Sequence, residues 1–511
     1  MLSIIKTMSL QGLDGYLIDV QVDVTGGIPN WDIVGLPDTS IREAKERVRA
    51  AIKNSGFELQ SRKILVNLAP ASTKKEGSLF DLPIAIGILC SIEKIKKENL
   101  EKTVFIGELS LDGRINSVRG ILPICIECKK IGVKRLIIPS VNSLEASIVN
   151  GIEIIGVNTL KQVVNFLNNE EKILPSKTDW TDVIKNINKL SLDFSDVRGQ
   201  EEAKRAIEIA AAGGHNILLI GSPGSGKTML AKRISTILPD LSFEEALEVT
   251  KIHSIAGTLP KNLPIITNRP FRAPHHTISP ISLVGGGRIP KPGEVSLAHY
   301  GVLFLDELLE FNRNTLEVLR GPLEDGIVNV SRANASLTYP CNFMFVASMN
   351  PCPCGYYGAK DKECTCTPQA ITKYMGKISG PLLDRIDIQI EISQVKYEKL
   401  DNMQKNETSQ IIKERVNKAR KIQIKRYKNE KIYSNSELTP KLIEKYCKLN
   451  NASKEILKNA FERLGLSARA YGRILKVART IADLQDCINI EKRHIAEAIQ
   501  YRSLDKKYWK N

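Results

Sequence analysis

The sequence predicts an α/β protein with a parallel sheet and crossover helices at its centre, a mixed α/β unit before it and an all-helical part after it. Three observations predict this. Strand-like and helix-like segments alternate between Asp193 and Val395, as they do where helices join parallel strands. Within that stretch, Gly221-Ser222-Pro223-Gly224-Ser225-Gly226-Lys227-Thr228 matches the phosphate-loop pattern G-x-x-x-x-G-K-[ST]. An apolar strand-like run, Asn216 to Ile220, precedes it, and Met229 to Ile234 opens a helix after it. Beyond about Tyr397 strand signals vanish, while Ser467–Leu484 and Glu491–Tyr501 carry apolar residues at helical spacing.

In chain order, residues 1–167 form the first α/β domain. Leu17–Val24, Ile64–Val66, Val104–Ile106, Leu136–Ile138 and Ile152–Val157 read as strands, and Ser40–Lys53, Pro83–Lys96 and Leu122–Ile131 as helices. Residues 168–192, polar and with Pro175, read as a linker. Residues 193–395 form the phosphate-loop core and 396–511 the helical lid. A chain of 511 residues has room for roughly three to four such domains.

With 42% hydrophobic and 25% charged residues, the composition is that of a soluble globular protein, which rules out a low-complexity or disordered chain. No apolar run is long enough to span a bilayer and Met1–Lys6 is too short for a signal peptide, so the expected compartment is the cytoplasm. Of the net charge of +16, about +13 falls in 401–511. That asymmetry fits a polyanion such as nucleic acid, and equally a solvated lysine-rich helical surface. Ten cysteines in a chain expected to be cytoplasmic argue against a disulfide framework.

The chemistry gathers around the phosphate loop. Its glycines let backbone N–H groups turn toward phosphate oxygens at a helix N-terminus. Lys227 reaches the β- and γ-phosphates, and the Thr228 hydroxyl ligates Mg²⁺. Gly301–Leu305 is an apolar strand ending in Asp306 and Glu307. That pattern suits a carboxylate holding Mg²⁺ through water and a second one polarising the attacking water. Asn342–Asn350 is another buried strand, whose terminal Asn350 amide can hydrogen-bond the attacking water or the γ-phosphate. Arg385 lies between Asp384 and Asp387, as an ion-paired arginine or one offered to ATP on a neighbouring subunit.

About 80 residues separate Lys227 from Asp306, more than one strand and one helix need. They contain Phe271–Thr277 and a glycine-rich tip at Gly285–Gly287 followed by Arg288. His275 and His276 are adjacent and expected to point apart, a poor chelating pair read as structural. Ile327–Val330 and Ala335–Thr338 read as a hairpin with a polar tip. Cys352, Cys354, Cys364 and Cys366 form C-x-C-x9-C-x-C, with Gly355 and Gly358 allowing tight turns. Four thiolates suffice for tetrahedral Zn²⁺, although the one-residue spacing is tighter than usual. Reduced or redox-active thiols are the other reading.

Together these segments resemble the AAA+ ATPases, and among them the Mg-chelatase-like ComM/YifB family. The likeness is carried by Val197–Gln200, the phosphate loop, Phe271–Thr277, Gly301–Glu307, Asn350–Gly355, Gly380–Asp387 and Leu466–Arg473, and it extends over essentially the whole chain. The resemblance implies an AAA+ core with a helical lid, preceded by a Lon-protease-type domain of the ribosomal-protein-S5-like fold. It implies Gln200 at the nucleotide, Asn350 as sensor 1, Arg385 as a finger donated in trans, and Arg469, ahead of Arg473, as the sensor 2 arginine. The tip at Gly285–Gly287 and the hairpin around Arg332 would line the central pore of a homo-hexamer. Family members of the ComM type are DNA helicases that drive branch migration during natural transformation. The expected partner is therefore single-stranded or branched DNA, with ATP and Mg²⁺ as cofactors. The family's N-terminal domain departs here from a protease. Asp81 aligns with the serine and Leu122 with the lysine of the Ser–Lys dyad, and Ser78 has no evident base. A protein-remodelling chaperone and an ATP-dependent scaffold share the same ATP site and are the competing readings.

Overall fold

Alternating burial builds the first sheet. Strands β1 (Leu2–Gln11) and β2 (Asp14–Thr25) pair antiparallel with Leu2 opposite Asp23. Ile18, Val20, Val22 and Val24 all face the core, the period of two that a half-buried strand requires. With β3 (Asn30–Val34), β4 (Lys63–Ala69), β5 (Thr103–Phe105), β6 (Arg135–Pro139) and β7 (Glu153–Val157) they form a seven-stranded mixed sheet ordered β3-β4-β2-β1-β5-β6-β7. Helix α1 (Thr39–Asn54) starts where the Asp38 side chain accepts from the Ile41 N–H. It buries Ile41, Ala44, Val48, Ala51 and Ile52, the i, i+3, i+7 stripe of a helix lying on a sheet. Helix α2 (Asp81–Ser91) is buried all round, and α3 (Ile121–Lys130) and α4 (Leu160–Leu167) complete the layer.

The sequence reading missed β1, β3 and α4, and carried the helix at Pro83 five residues too far. The break after Ser91 comes at Glu93, which takes a left-handed φ of 60°. Asp81 and Leu122, aligned with a protease dyad, are core residues. Arg47 holds the Asp81 carboxylate by two hydrogen bonds of 2.8 and 2.9 Å. Burial nevertheless pushes the Asp81 carboxyl up to about 6 against the pull of Arg47. The Ser78 hydroxyl does have an acidic partner, donating to the Glu108 carboxylate.

The computed structural model describes residues 2–59, 62–96, 100–180, 192–260, 263–287, 290–332, 335–359, 362–395, 406–430, 432–464 and 467–509. Packing divides the chain into two units, Met1–Ile187 with Phe243–Thr267, and Asn188–Ser242 with Asn268–Asn511. The segment 243–267 thus packs with the N-terminal fold although it follows the phosphate loop in sequence. Its helix Phe243–Ala256 buries Ala246, Val249 and Ile252, and the Ser254 carbonyl accepts from the Gly120 N–H at the start of α3. Of the expected linker, 181–191 lies outside the described residues.

The second unit is built on five parallel strands. They are β8 (Ile217–Gly221), β9 (Phe271–Arg272), β10 (Val302–Leu305), β11 (Met344–Met349) and β12 (Ile388–Ile392), ordered β9-β10-β11-β8-β12. Every residue of β8, β10 and β11 is buried, which explains their unbroken apolar sequence, since helices cover both faces of such a sheet. Helices α5 (Glu201–Gly213) and α6 (Lys227–Ile237) share one core with the C-terminal helices α7 (Ser409–Arg426), α8 (Asn451–Leu464), α9 (Ala468–Leu484) and α10 (Lys492–Gln500). Leu230 and Ile234 of α6, Val416 of α7 and Ile474, Val477 and Ile481 of α9 all belong to it. The hairpin Ile327–Arg332 with Ala335–Pro340 forms in the expected place. Gly285–Gly286 pairs with Lys291–Pro292. The turn at 333–334, the side chain of Arg332, and Arg288 lie outside the described residues. No helix among those described is long and apolar enough to cross a membrane.

Candidate functional site

The phosphate loop leaves the C-terminal end of β8, which lies between β11 and β12, and runs into the first turn of α6. Gly224 and Gly226 sit at φ 74° and 91°, where a side chain would be strained, and their backbone turns the loop onto the N-terminus of α6. Lys227 Nζ donates to the carbonyls of Gly221 at 2.7 Å and Ser222 at 2.9 Å, and to Asn350 Oδ1 at 3.1 Å. Burial lowers the Lys227 pKa below that of a free lysine, and Asp306 and Glu307 partly offset this.

Thr228 Oγ1 donates to Asp306 Oδ2 at 2.8 Å. Asp306 ends β10, and its other oxygen accepts from the Ser348 hydroxyl and from the Glu307 N–H at 3.1 Å. Ser348 lies fully buried on β11 and also accepts from the Glu307 N–H at 3.3 Å. The strand order that brings β10 beside β11 therefore fixes the Asp306 carboxylate from two sides. Glu307 takes a left-handed φ of 53°, exposed at the strand end, and its carboxylate makes no hydrogen bond among the described residues. Two hard oxygen donors, Thr228 and Asp306, in contact beside a lysine form a donor set that suits Mg²⁺.

Gln200 is tied to the loop from behind. Its Nε2 donates to the Ser225 carbonyl at 3.3 Å and to the Ser393 carbonyl, just after β12, at 2.6 Å. Both bonds tie the Gln200 side chain to backbone carbonyls, one within the phosphate loop and one just after β12.

The arginines gather apart from these groups. Arg469 Nη1 contacts Asp384 Oδ2 at 3.1 Å, and Arg473 Nη1 contacts Asp387 Oδ1 at 2.9 Å. Arg385 pairs with Glu324 and donates to the Pro381 carbonyl. Its pKa is lowered by burial and by the charges of Arg320, Arg469 and Arg473, so all four arginines lie near one another. Among the described residues no hydrogen bond joins Arg385, Arg469 or Arg473 to the phosphate loop. Arg469 and Arg473 are held by Asp384 and Asp387, on either side of Arg385 in sequence.

His275 and His276 do not point apart. Their rings stack at 4.1 Å, and His276 meets Phe311 edge-on, because 273–279 follows no regular strand. The four cysteines converge as well. Their sulfurs all lie within 4.8 Å of one another, and Cys352 Sγ lies 3.3 Å from that of Cys354 and 3.6 Å from that of Cys364. Sequence reasoning missed Ser348, which sits in an apolar run without a motif of its own.

Comparison with known proteins agrees over the whole chain. The family model described as magnesium chelatase, subunit ChlI, matches residues 193–400, and that of the ChlI C-terminal region matches 406–502. A third, subunit ChlI of Mg-chelatase, matches 20–142. The competence protein ComM of Haemophilus influenzae is 44% identical over 506 residues, covering 98% of each chain. The YifB protein of Escherichia coli is 44% identical over 508 residues, covering 99% of this chain and 98% of its own. Lon protease 2 of Bacillus subtilis is 28% identical over 169 residues, 30% of either chain.

Proposed function

The chain belongs to the ComM/YifB family of Mg-chelatase-like AAA+ ATPases, and from that premise we propose that it is an ATP-driven DNA motor, a hexameric helicase or translocase that promotes branch migration during DNA uptake. The observation that carries the ATPase part is the continuous set of contacts from Lys227 to Asn350 and from Thr228 through Asp306 to Ser348. Lys227 and the loop N–H groups bind the phosphates. Asn350, in contact with the Lys227 ammonium, orients the γ-phosphate or the attacking water. Glu307, whose carboxylate makes no hydrogen bond among the described residues, takes the proton of that water. Thr228 and Asp306 would hold Mg²⁺, which would supply charge neutralisation at the phosphate oxygens.

Arg385, with Arg469 beside it, is the charged group offered to ATP on a neighbouring subunit, which makes the site complete only in a ring. The name of ComM, a competence protein, and the basic last fifth of the chain support DNA as the substrate. The four cysteines are proposed to hold a structural Zn²⁺. Their sulfur separations are far above the about 2.05 Å of a disulfide and approach the about 3.8 Å edge of a tetrahedron with ~2.3 Å Zn–S bonds. ATPase assays with and without forked DNA test the reading. Stimulation by DNA is expected, and hydrolysis stimulated by an unfolded polypeptide but not by DNA would replace the motor with a protein remodeller.

A further inference from the structure

The cysteine turn is built against the nucleotide site. Pro351 and Cys352 follow directly on Asn350, whose side chain accepts from Lys227. Three residues after Cys352, Gly355 takes a φ of 86° and lies beside Pro223 of the phosphate loop. A Cβ at Gly355 would lie 2.5 Å from Pro223 Cδ and 2.8 Å from its Cγ, well inside contact distance. The turn is anchored on its outer side too. Tyr357 meets Tyr508 edge-on, and Lys507, which pairs with Glu391 on β12, lies against Gly358.

Backbone donors converge on the sulfurs. The N–H of Tyr357 points to Cys352 Sγ at 3.3 Å, that of Cys354 to Cys366 Sγ at 3.4 Å, and that of Cys366 to Cys364 Sγ at 3.4 Å. Such N–H donors orient metal-bound thiolates and offset their charge. Without a metal, a short loop with four thiols drawn together has little apolar burial to hold its shape, because only Cys352 is buried.

We propose that this four-cysteine turn, closed on one Zn²⁺, is a brace for the phosphate loop, so that ATP binding depends on the zinc. The inference rests on the ATPase reading above. It places the metal in a positioning role: zinc fixes the turn, the turn fixes Pro223 from one side and Asn350 from the other, and Gln200 holds the loop's opposite flank. Displacing a phosphate-binding loop by a fraction of an ångström weakens its aligned N–H donors together, with an effect of about tenfold or more.

The test uses the full-length protein purified under reducing conditions, with metal content, binding of a fluorescent ATP analogue, and KM and kcat for ATP measured in parallel. Wild type is expected to carry one zinc per chain. Cys364→Ser with Cys366→Ser is expected to lose the zinc and raise KM for ATP about tenfold, with a smaller change in kcat. Gly355→Ala leaves all four ligands in place. It is expected to keep the zinc, to stay folded with a lowered unfolding temperature because alanine at a φ of 86° is strained, and to raise KM by a similar factor because its methyl group meets Pro223. Wild type without zinc, or an active ATPase whose KM is unchanged in both variants, overturns the brace and leaves the ATPase standing. A zinc-bearing wild type that neither binds nor hydrolyses ATP overturns the ATPase reading, and the brace with it.

Discussion

Replacing Ser348 by alanine removes one hydroxyl and nearly nothing else, and the consequence is calculable. The side chain is fully buried on β11, so the change opens only a small void and exposes no surface. What is lost is the hydrogen bond from Ser348 Oγ to Asp306 Oδ1 and the longer one that Oγ accepts from the Glu307 N–H, leaving the carboxylate held by Thr228 and the Glu307 N–H. A hydrogen bond to a charged group contributes about 1.5–3 kcal/mol, and each ~1.4 kcal/mol is a factor of ten. The half-saturating Mg²⁺ concentration for ATP hydrolysis should therefore rise about 10- to 100-fold, the range seen when partners of metal ligands are removed. Binding of an ATP analogue in the absence of Mg²⁺ should stay as in wild type, because no contact of Lys227 is touched. A folded Ser348→Ala protein with an unaltered Mg²⁺ titration would refute the reasoning and leave Asp306 without the role given to it.

Other outcomes follow from the same geometry. Lys227→Ala should lower kcat about 10²- to 10³-fold, measured by steady-state phosphate release, because the donor removed faces the phosphates. Arg385→Ala should be inactive alone and regain part of its hydrolysis when mixed with Lys227→Ala subunits, whereas a finger acting within its own chain would give no recovery. In the first unit, Arg47→Ala should cost about 3–5 kcal/mol by stranding the buried Asp81 carboxylate, read from chemical unfolding. Glu145 gives a pH dependence. Burial raises its carboxyl to about 7, against hydrogen bonds from Asn142 and the Ile121 and Leu122 N–H groups. The folded state therefore holds a proton that the unfolded chain releases from about pH 4.5, so this contribution is present below that pH and lost as pH rises through about 7. Glu145→Gln should flatten that slope in unfolding temperatures measured between pH 4.5 and 8.

Much of the site was legible because its chemistry is local in sequence. The phosphate loop needs glycines, lysine and threonine at fixed spacing, and Asp306 with Glu307 must end an apolar strand. What was illegible depends on strands meeting. Ser348 gains its meaning only because β11 lies beside β10, and nothing in Val346-Ala347-Ser348-Met349 marks it. Gly355 reads as a turn residue until Pro223 is found against it. The pairing of Arg469 with Asp384 depends on the approach of α9 to the segment before β12, which no local pattern marks. The segment 243–267 shows the same limit at the level of the fold, since apolar periodicity tells that Val249 and Ile252 are buried but not in which unit. β1 carries a weak apolar alternation because two of its inward residues, Thr7 and Ser9, are polar, although with Ile5 they alternate inward as a strand requires.

The central claim is that hydrolysis at Lys227, Asp306 and Glu307 drives movement on DNA. It is tested most directly by displacement of a labelled strand from a three-stranded branched DNA, with wild type and Glu307→Gln side by side. The account predicts ATP-dependent displacement by wild type, and in Glu307→Gln retained ATP and DNA binding with displacement abolished. ATP hydrolysis by wild type that DNA does not stimulate, with the three-stranded substrate left intact, would contradict it.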